Sequence, residues 1–288
     1  MVWLLSWLLA CGQPHWPEVP PADACKAGAV APGEYALTFE FERRGRGALI
    51  WMPEGPGPHD VIVDLHEMGS EPKRQAYYSK MIELARAQNA ILIGPDGRSA
   101  TWNAGGCCGK SAERNVKDGP FLDEVVARVD ASGCTSGRVL ATGIGAGGMM
   151  AHRWACESDT PDAVLSVGGA LQLPTCERKR PIPVVHYHGD LDKWMPMDGS
   201  GGHRPVSEAQ AIWGTRNGVT SWREESVGAL HCQVGESATP TRFCVVSGMS
   251  DRWPGAADAA FEVESGKPID ATADGWAVTK AYWDAHPE

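Results

Sequence analysis

Residues 138–157 read RVLATGIGAGGMMAHRWACE. The apolar run RVLA enters a glycine-rich turn and leaves it as a helix-forming stretch. Strand, tight turn and helix in that order describe the bend on which many hydrolases mount a nucleophilic serine, in the frame G-x-S-x-G. Here the frame is Gly143-Ile144-Gly145-Ala146-Gly147, and glycine stands at the serine position. The stretch points to a β-to-α unit of a parallel sheet and lacks the side chain that would do the chemistry there.

The same rhythm extends on both sides. YALTFEF (35–41) and ALIWMP (48–53) read as an opening β-hairpin. DVIVDLHEMG follows as a strand ending in a loop, and EPKRQAYYSKMIELARAQN as one amphipathic helix with Tyr77, Met81, Leu84 and Ala85 on its apolar stripe. AILIGPDG is a buried strand, and NVKDGPFLDEVVARVDAS a helix ending near Gly133. AVLSVGGAL, IPVVHYHGD and TRFCVVSG are further strands, and a last helix surrounds GWAVTKAYWDAH. Short apolar strands alternating with helices imply an α/β fold, a mostly parallel sheet with helices on both faces. No internal repeat interrupts the pattern.

The 288 residues suffice for one α/β domain or two small ones. A formal net charge of -10 argues against nucleic acid and anionic membrane surfaces as partners. At the N-terminus, MVWLLSWLLAC has the outline of an export signal, and its ending Leu8-Leu9-Ala10-Cys11 is that of a lipobox, which would lipidate Cys11 and anchor the chain to a membrane. The alternative is an apolar strand or helix of the core. The expected organisation is a signal segment at 1–11, a Pro-rich tether at 12–24 and a single domain over 25–288. Eight cysteines remain besides Cys11. An even set suggests disulfides in an oxidising compartment, extracellular or periplasmic, with about a hundred possible connectivities. Cys232 and Cys244 flank one polar loop and are the favoured pair. Cys107 and Cys108 are adjacent and expected to point apart, which argues against zinc; no metal or other cofactor is expected.

Several stretches in chain order carry a resemblance: DLHEMGS, PDGRSATWNAGGCCG, the elbow itself, PVVHYHGDLDKWMP and SGMSDRWPG. Together they resemble the secreted polyhydroxybutyrate depolymerase and feruloyl esterase family of α/β-hydrolases, from about Cys25 to the C-terminal helix. The resemblance implies a serine, an acid and a histidine, in that order, acting on an ester carbonyl. Its acid lies in an H-G-x-x-D stretch, which maps to Asp192. Its histidine precedes a Trp-Pro-Gly turn, where this chain has Asp251-Arg252-Trp253. Its nucleophile position is Gly145. The acid is thus retained while the nucleophile and base positions have changed. The oxyanion loop differs too: His66 is followed by Glu67 and Met68 where the family has glycine. A carboxylate there opposes a developing oxyanion, although Ala146 still offers a backbone N–H.

Losing one essential triad member costs on the order of 10^6 in turnover, roughly 8 kcal/mol. The reading is an exported protein of this family that has given up ester hydrolysis and serves as a binding or envelope-associated module. The alternative is a working esterase or depolymerase with a different nucleophile, for which Ser70 and Ser250 are the neighbouring hydroxyls. His66 and His188 match structural positions of the family, and His152 and His231 read as surface or packing residues. Glu67, Asp192 and Asp251 are expected to face the former site, where either a bound cation or the neighbouring Arg252 and Lys193 would neutralise them. With 12 tryptophans in the chain, Trp102 and Trp253 are candidates to line a groove for an ester, glycan or polymer, against the alternative that both are core.

Overall fold

The structure, a computed structural model, describes residues 14–16, 25, 30–256 and 269–287. Cys11 and its apolar leader lie outside the described residues. The opening hairpin pairs β1 (Gly33–Phe41) with β2 (Arg44–Met52), Gly33 opposite Met52 and Phe41 opposite Arg44. Its turn is Glu42-Arg43, both at positive φ, the mirror-type turn whose twist matches that of the strands it joins. The remaining strands are β3 (His59–Leu65), β4 (Ile91–Pro95), β5 (Thr135–Ile144), β6 (Ala163–Val167), β7 (Val184–Gly189), β8 (Trp222–Val227), β9 (Leu230–Gly235) and β10 (Thr241–Val246). One sheet holds all ten in the order β1-β2-β4-β3-β5-β6-β7-β10-β9-β8. The run from β4 to β10 is parallel, and antiparallel hairpins close both ends.

Among the described residues, seven α-helices flank the sheet: α1 (Pro72–Tyr78), α2 (Met81–Ala87), α3 (Gly109–Glu113), α4 (Asp118–Asp130), α5 (Ala146–Glu157), α6 (Val206–Arg216) and α7 (Ala271–Ala285). Successive strand residues point to opposite faces, so the core divides in two. Val61, Val63 and Val139 pack with Phe121, Val125, Met150 and Trp213 of α4, α5 and α6. Ile62, Leu92 and Leu165 pack with Ala76, Met81, Trp276 and Trp283 of α1, α2 and α7. This is the mostly parallel sheet, covered on both faces, that the sequence pattern implies.

Four expectations are corrected. The single helix over EPKRQAYYSKMIELARAQN is two, broken where Lys80 adopts φ 58°. Ser79, the C-terminal cap residue of the first helix, donates its hydroxyl to buried Asp64 at 2.7 Å and accepts from the Met81 N–H at 3.2 Å, which ties the two helices together at the break. Tyr77 consequently lies half-exposed off the stripe. Second, part of the expected tether is laid on the sheet: His15 bridges Ala36, and Trp16 is buried edge-on against Tyr35. Third, Cys107 and Cys108 are bonded to each other across a cis peptide. The other bridges are Cys25–Cys134, Cys156–Cys176 and the favoured Cys232–Cys244, which joins directly opposed residues of β9 and β10. Fourth, Trp102 and Trp253 have no solvent-exposed surface. Each indole N–H is satisfied inside, on the His66 carbonyl and the Thr272 hydroxyl, both at 2.8 Å, so neither presents a face to a groove.

Candidate functional site

The elbow forms because β5 runs hard against the end of β3. A Cβ on Gly147 would overlap the Leu65 carbonyl, so only glycine lets α5 start there. Between strand and helix, Gly145 has φ 54° and ψ −118° and donates its N–H to Val167 O at 2.9 Å. That backbone is the strained conformation of a nucleophile elbow, which glycine adopts without cost. A Cβ built on Gly145 would lie 2.9 Å from Oε1 of Glu67 and 3.2 Å from its Cγ. The Glu67 side chain therefore stands where the side chain of an elbow residue would point.

Glu67 opens a turn in which the Ser70 N–H returns to the Glu67 carbonyl at 3.0 Å. Beside it, Met68, Arg74, Tyr78, Asp251 and Arg252 line a cleft of about 370 Å³. Burial, then the charges of Asp251 and Asp192, push the Glu67 carboxyl above its usual range, and Arg74 acts in the opposite direction. The three carboxylates named from the sequence thus feel one another. Arg74, which the sequence reading missed, and Arg252 bring positive charge to the cleft; Lys193 is exposed. Among the described residues, no group of three or more histidines, cysteines or carboxylates is arranged to hold a metal ion. Ala146 is buried at the first position of α5.

Asp192 has a different setting. It is buried, and its Oδ1 accepts from the backbone N–H groups of Trp194 (2.9 Å) and Met195 (2.8 Å). Its Oδ2 lies 3.5 Å from Nε2 of His188. Burial raises its pKa, but the His188 contact and these backbone donors outweigh it and hold the carboxyl below its usual range. Behind it runs a chain of rings. The Trp213 indole N–H, which can only donate, points at Nδ1 of His152 at 3.0 Å. His152 Nε2 must then carry the proton, facing His186 Nδ1 at 3.5 Å; His186 Nε2 donates to His188 Nδ1 at 3.1 Å; His188 Nε2 donates to the Met195 carbonyl at 2.7 Å. One donor-only end fixes all three tautomers. Burial drives the pKa of His152 down to about 3 and that of His186 well below its usual value, so both are neutral.

His66 is also buried, accepting from the Gly97 N–H at 2.9 Å through Nε2 and donating to the Glu67 carbonyl at 2.8 Å. It shapes the loop from behind and does not face the cleft. His152 is interior, whereas His231 is exposed and pairs with Ser226 across β8 and β9. The large apolar side chains that are exposed near the site are Trp194 (74%), Met68 (56%) and Leu191 (55%). Trp194 and Leu191 flank Asp192, a neighbourhood that hydrophobic periodicity cannot reveal because both lie in a loop.

A ten-stranded sheet of this order, with a β5–α5 elbow and a carboxylate after β7, defines an α/β-hydrolase fold. Among solved structures, the chain superposes on an acetyl xylan esterase from Aspergillus awamori with a TM-score of 0.62 and 13% identity, covering 85% of this chain and 98% of that one. It superposes on LpqC, a poly(3-hydroxybutyrate) depolymerase from Bordetella parapertussis, with a TM-score of 0.53 and 16% identity over 93% and 96% of the two chains. In sequence it is 29% identical over 152 residues to "Probable feruloyl esterase C" of Aspergillus flavus, 49% of this chain and 52% of the relative. The chain thus spans about half the length of the curated relatives it matches, and no family model matches it. The fold is that of the α/β-hydrolase esterases, and over about half its length the sequence is similar to that of feruloyl esterases. The disulfides suit an oxidising environment, and no helix among the described residues is long and apolar enough to cross a membrane.

Proposed function

We propose that this chain has given up ester hydrolysis and works as a non-catalytic binding protein outside the reducing cytosol, anchored through lipid on Cys11. One observation carries the reading: the Glu67 carboxylate fills the seat of the elbow side chain over Gly145. Without a nucleophile no acyl-enzyme forms, and a carboxylate in that seat repels the oxyanion that the loop would otherwise stabilise. Asp251, exposed at the position of the family's histidine, cannot serve as an imidazole base. Oxyanion-hole and binding contributions alone reach about 10^3 over water, and Glu67 works against those.

The ligand is an ester, glycan or polymer chain held without cleavage. Trp194, Leu191 and Met68 are its contact surface, in place of the buried Trp102 and Trp253. The test pairs turnover of p-nitrophenyl acetate and butyrate with labelling by a fluorophosphonate. No turnover above a heat-killed control and no label are expected. Turnover with a labelled residue would establish the alternative, an active esterase with another nucleophile. Anchoring is tested separately: Cys11→Ser should move the protein from the membrane fraction to the soluble one.

A further inference from the structure

The four disulfides span sequence separations of 109, 20, 12 and 1. A cross-link stabilises a fold through the loop it closes in the unfolded chain, and the effect grows with that loop. Three of the bridges have that rationale. Cys107–Cys108 closes no loop worth the name, so its contribution has to be sought in what the two sulfurs touch.

They touch sulfur. Cys107 and Cys108 are 8% and 2% exposed. Cys108 Sγ lies 3.8 Å from Sδ of Met149, itself buried in α5, its N–H bonded to Gly145 O. On the outer side, Met68 Sδ comes within 3.7 Å of where a Cβ on Gly109 would sit. We infer that Cys107, Cys108 and Met149, once the disulfide is reduced, form a site for one soft monovalent metal ion of the Cu(I) class behind the elbow.

The chemistry balances as follows. A dithiol reductant transfers two electrons and two protons to the S–S bond, which breaks to two thiols while the reductant closes to its own disulfide. The metal ion then displaces both thiol protons to solvent and is held by two thiolates and one neutral thioether. Thiolate and thioether donors select Cu(I) over the hard cations that carboxylates prefer. With metal–sulfur bonds of about 2.3 Å, the corners of a three-sulfur site lie ~4 Å apart, close to the 3.8 Å between Cys108 and Met149. In the disulfide form the pair offers no thiolate, so reduction gates the site. The residues differ from those of the Glu67 cleft, and the inference stands whether or not the elbow is silent.

The experiment titrates the anaerobically reduced full chain with Cu(I) against bicinchoninate, beside the Cys107→Ser/Cys108→Ser double variant, which keeps every other cysteine. The expected result is one more equivalent bound by the wild type, absent from air-oxidised protein, and weakened about tenfold or more in Met149→Leu. Equal stoichiometry in wild type and double variant overturns the site, and so does unchanged affinity in Met149→Leu. A second measurement needs no variant: one equivalent of Cu(I) should shield Cys107 and Cys108 from iodoacetamide in the reduced wild type, as mapped by peptide mass. Labelling at both residues unaffected by the metal also overturns it.

Discussion

The two halves of the elbow site are differently built. On the nucleophile side, Glu67 stands over Gly145 and shares a cleft with Asp251, but the hydrogen bonds that hold this region belong to backbone and to His66 behind it. On the acid side, Asp192 holds two backbone N–H groups, and three histidines and a tryptophan are bonded head to tail into the core. Serine and histidine in a triad contribute chemistry and little else, so under the proposed reading a chain that no longer hydrolyses esters replaces them at small cost. Asp192 also folds the loop after β7, and the buried rings behind it leave polar atoms stranded if any one is removed. The acid side is thus held by the fold itself.

The strongest way to break this comparison is to build a nucleophile and a base into the elbow side. Gly145→Ser alone should give no activity, because a side chain there meets Glu67 and finds no base. The triple variant Glu67→Gly, Gly145→Ser, Asp251→His supplies a nucleophile, a base and an open oxyanion loop against the existing Asp192. It should hydrolyse p-nitrophenyl acetate on the order of 10^3-fold faster than wild type and accept a fluorophosphonate. If it folds with an unchanged circular dichroism spectrum and gains nothing, the acid half has drifted as well.

The intact half is tested through its middle. His186→Leu removes the acceptor of the His152 N–H and the donor to His188 Nδ1, both buried. Two stranded polar groups at about 1–3 kcal/mol each predict a loss of roughly 2–5 kcal/mol in urea unfolding. Asp251→Asn, exposed on the other half, should stay within about 0.5 kcal/mol of wild type. Equal effects would show that the two halves are not differently built.

This contrast also explains what could be read in the sequence. The elbow is legible because steric crowding writes glycine at fixed spacing, and the strands because each is an apolar run. Asp192 is legible only through the resemblance, which maps the family's H-G-x-x-D stretch onto residues 188–192. The chain of rings is not legible: His186 and His188 share a face of β7, but α5 and α6 bring His152 and Trp213 to them only through the fold. Nor is the break at Lys80, where Ser79 reaches Asp64 on another element. The hairpin β8–β9 is hidden because the middle of the stretch WREESV is a polar run. Trp102 and Trp253 resemble groove residues in sequence since no local pattern distinguishes a buried indole from an exposed one.

Acid should act on the intact half first. A histidine whose folded pKa lies below its unfolded value is bound by fewer protons when native, so stability falls as pH drops below the unfolded value near 6.5. For His152, at about 3 when folded against 6.5, the loss at pH 5 is about 2 kcal/mol, and His186 shifts in the same direction. Asp64 works the other way: raised from 3.8 to about 6 by burial, it gains a proton in the fold before it would unfolded, and this adds stability as pH falls through about 6. Urea midpoints at pH 7 and pH 5 should therefore fall more steeply in Asp64→Asn than in wild type. A wild-type midpoint unchanged between the two, with Asp64→Asn unchanged as well, would mean that the histidines are not buried as neutral rings.

The smallest effect belongs to Glu67→Gln, and its sign is informative. Burial and the charges of Asp251 and Asp192 disfavour the ionised Glu67, so the neutral isostere should stabilise the fold at pH 7 by a few tenths of a kcal/mol, screening by solvent keeping it small. The gain should shrink as pH falls and Glu67 takes up a proton, and vanish where both forms are neutral. A destabilised variant would mean instead that the Glu67 charge is held by Arg74 and Arg252, and the nucleophile side would then count as a second built structure in place of a vacated one.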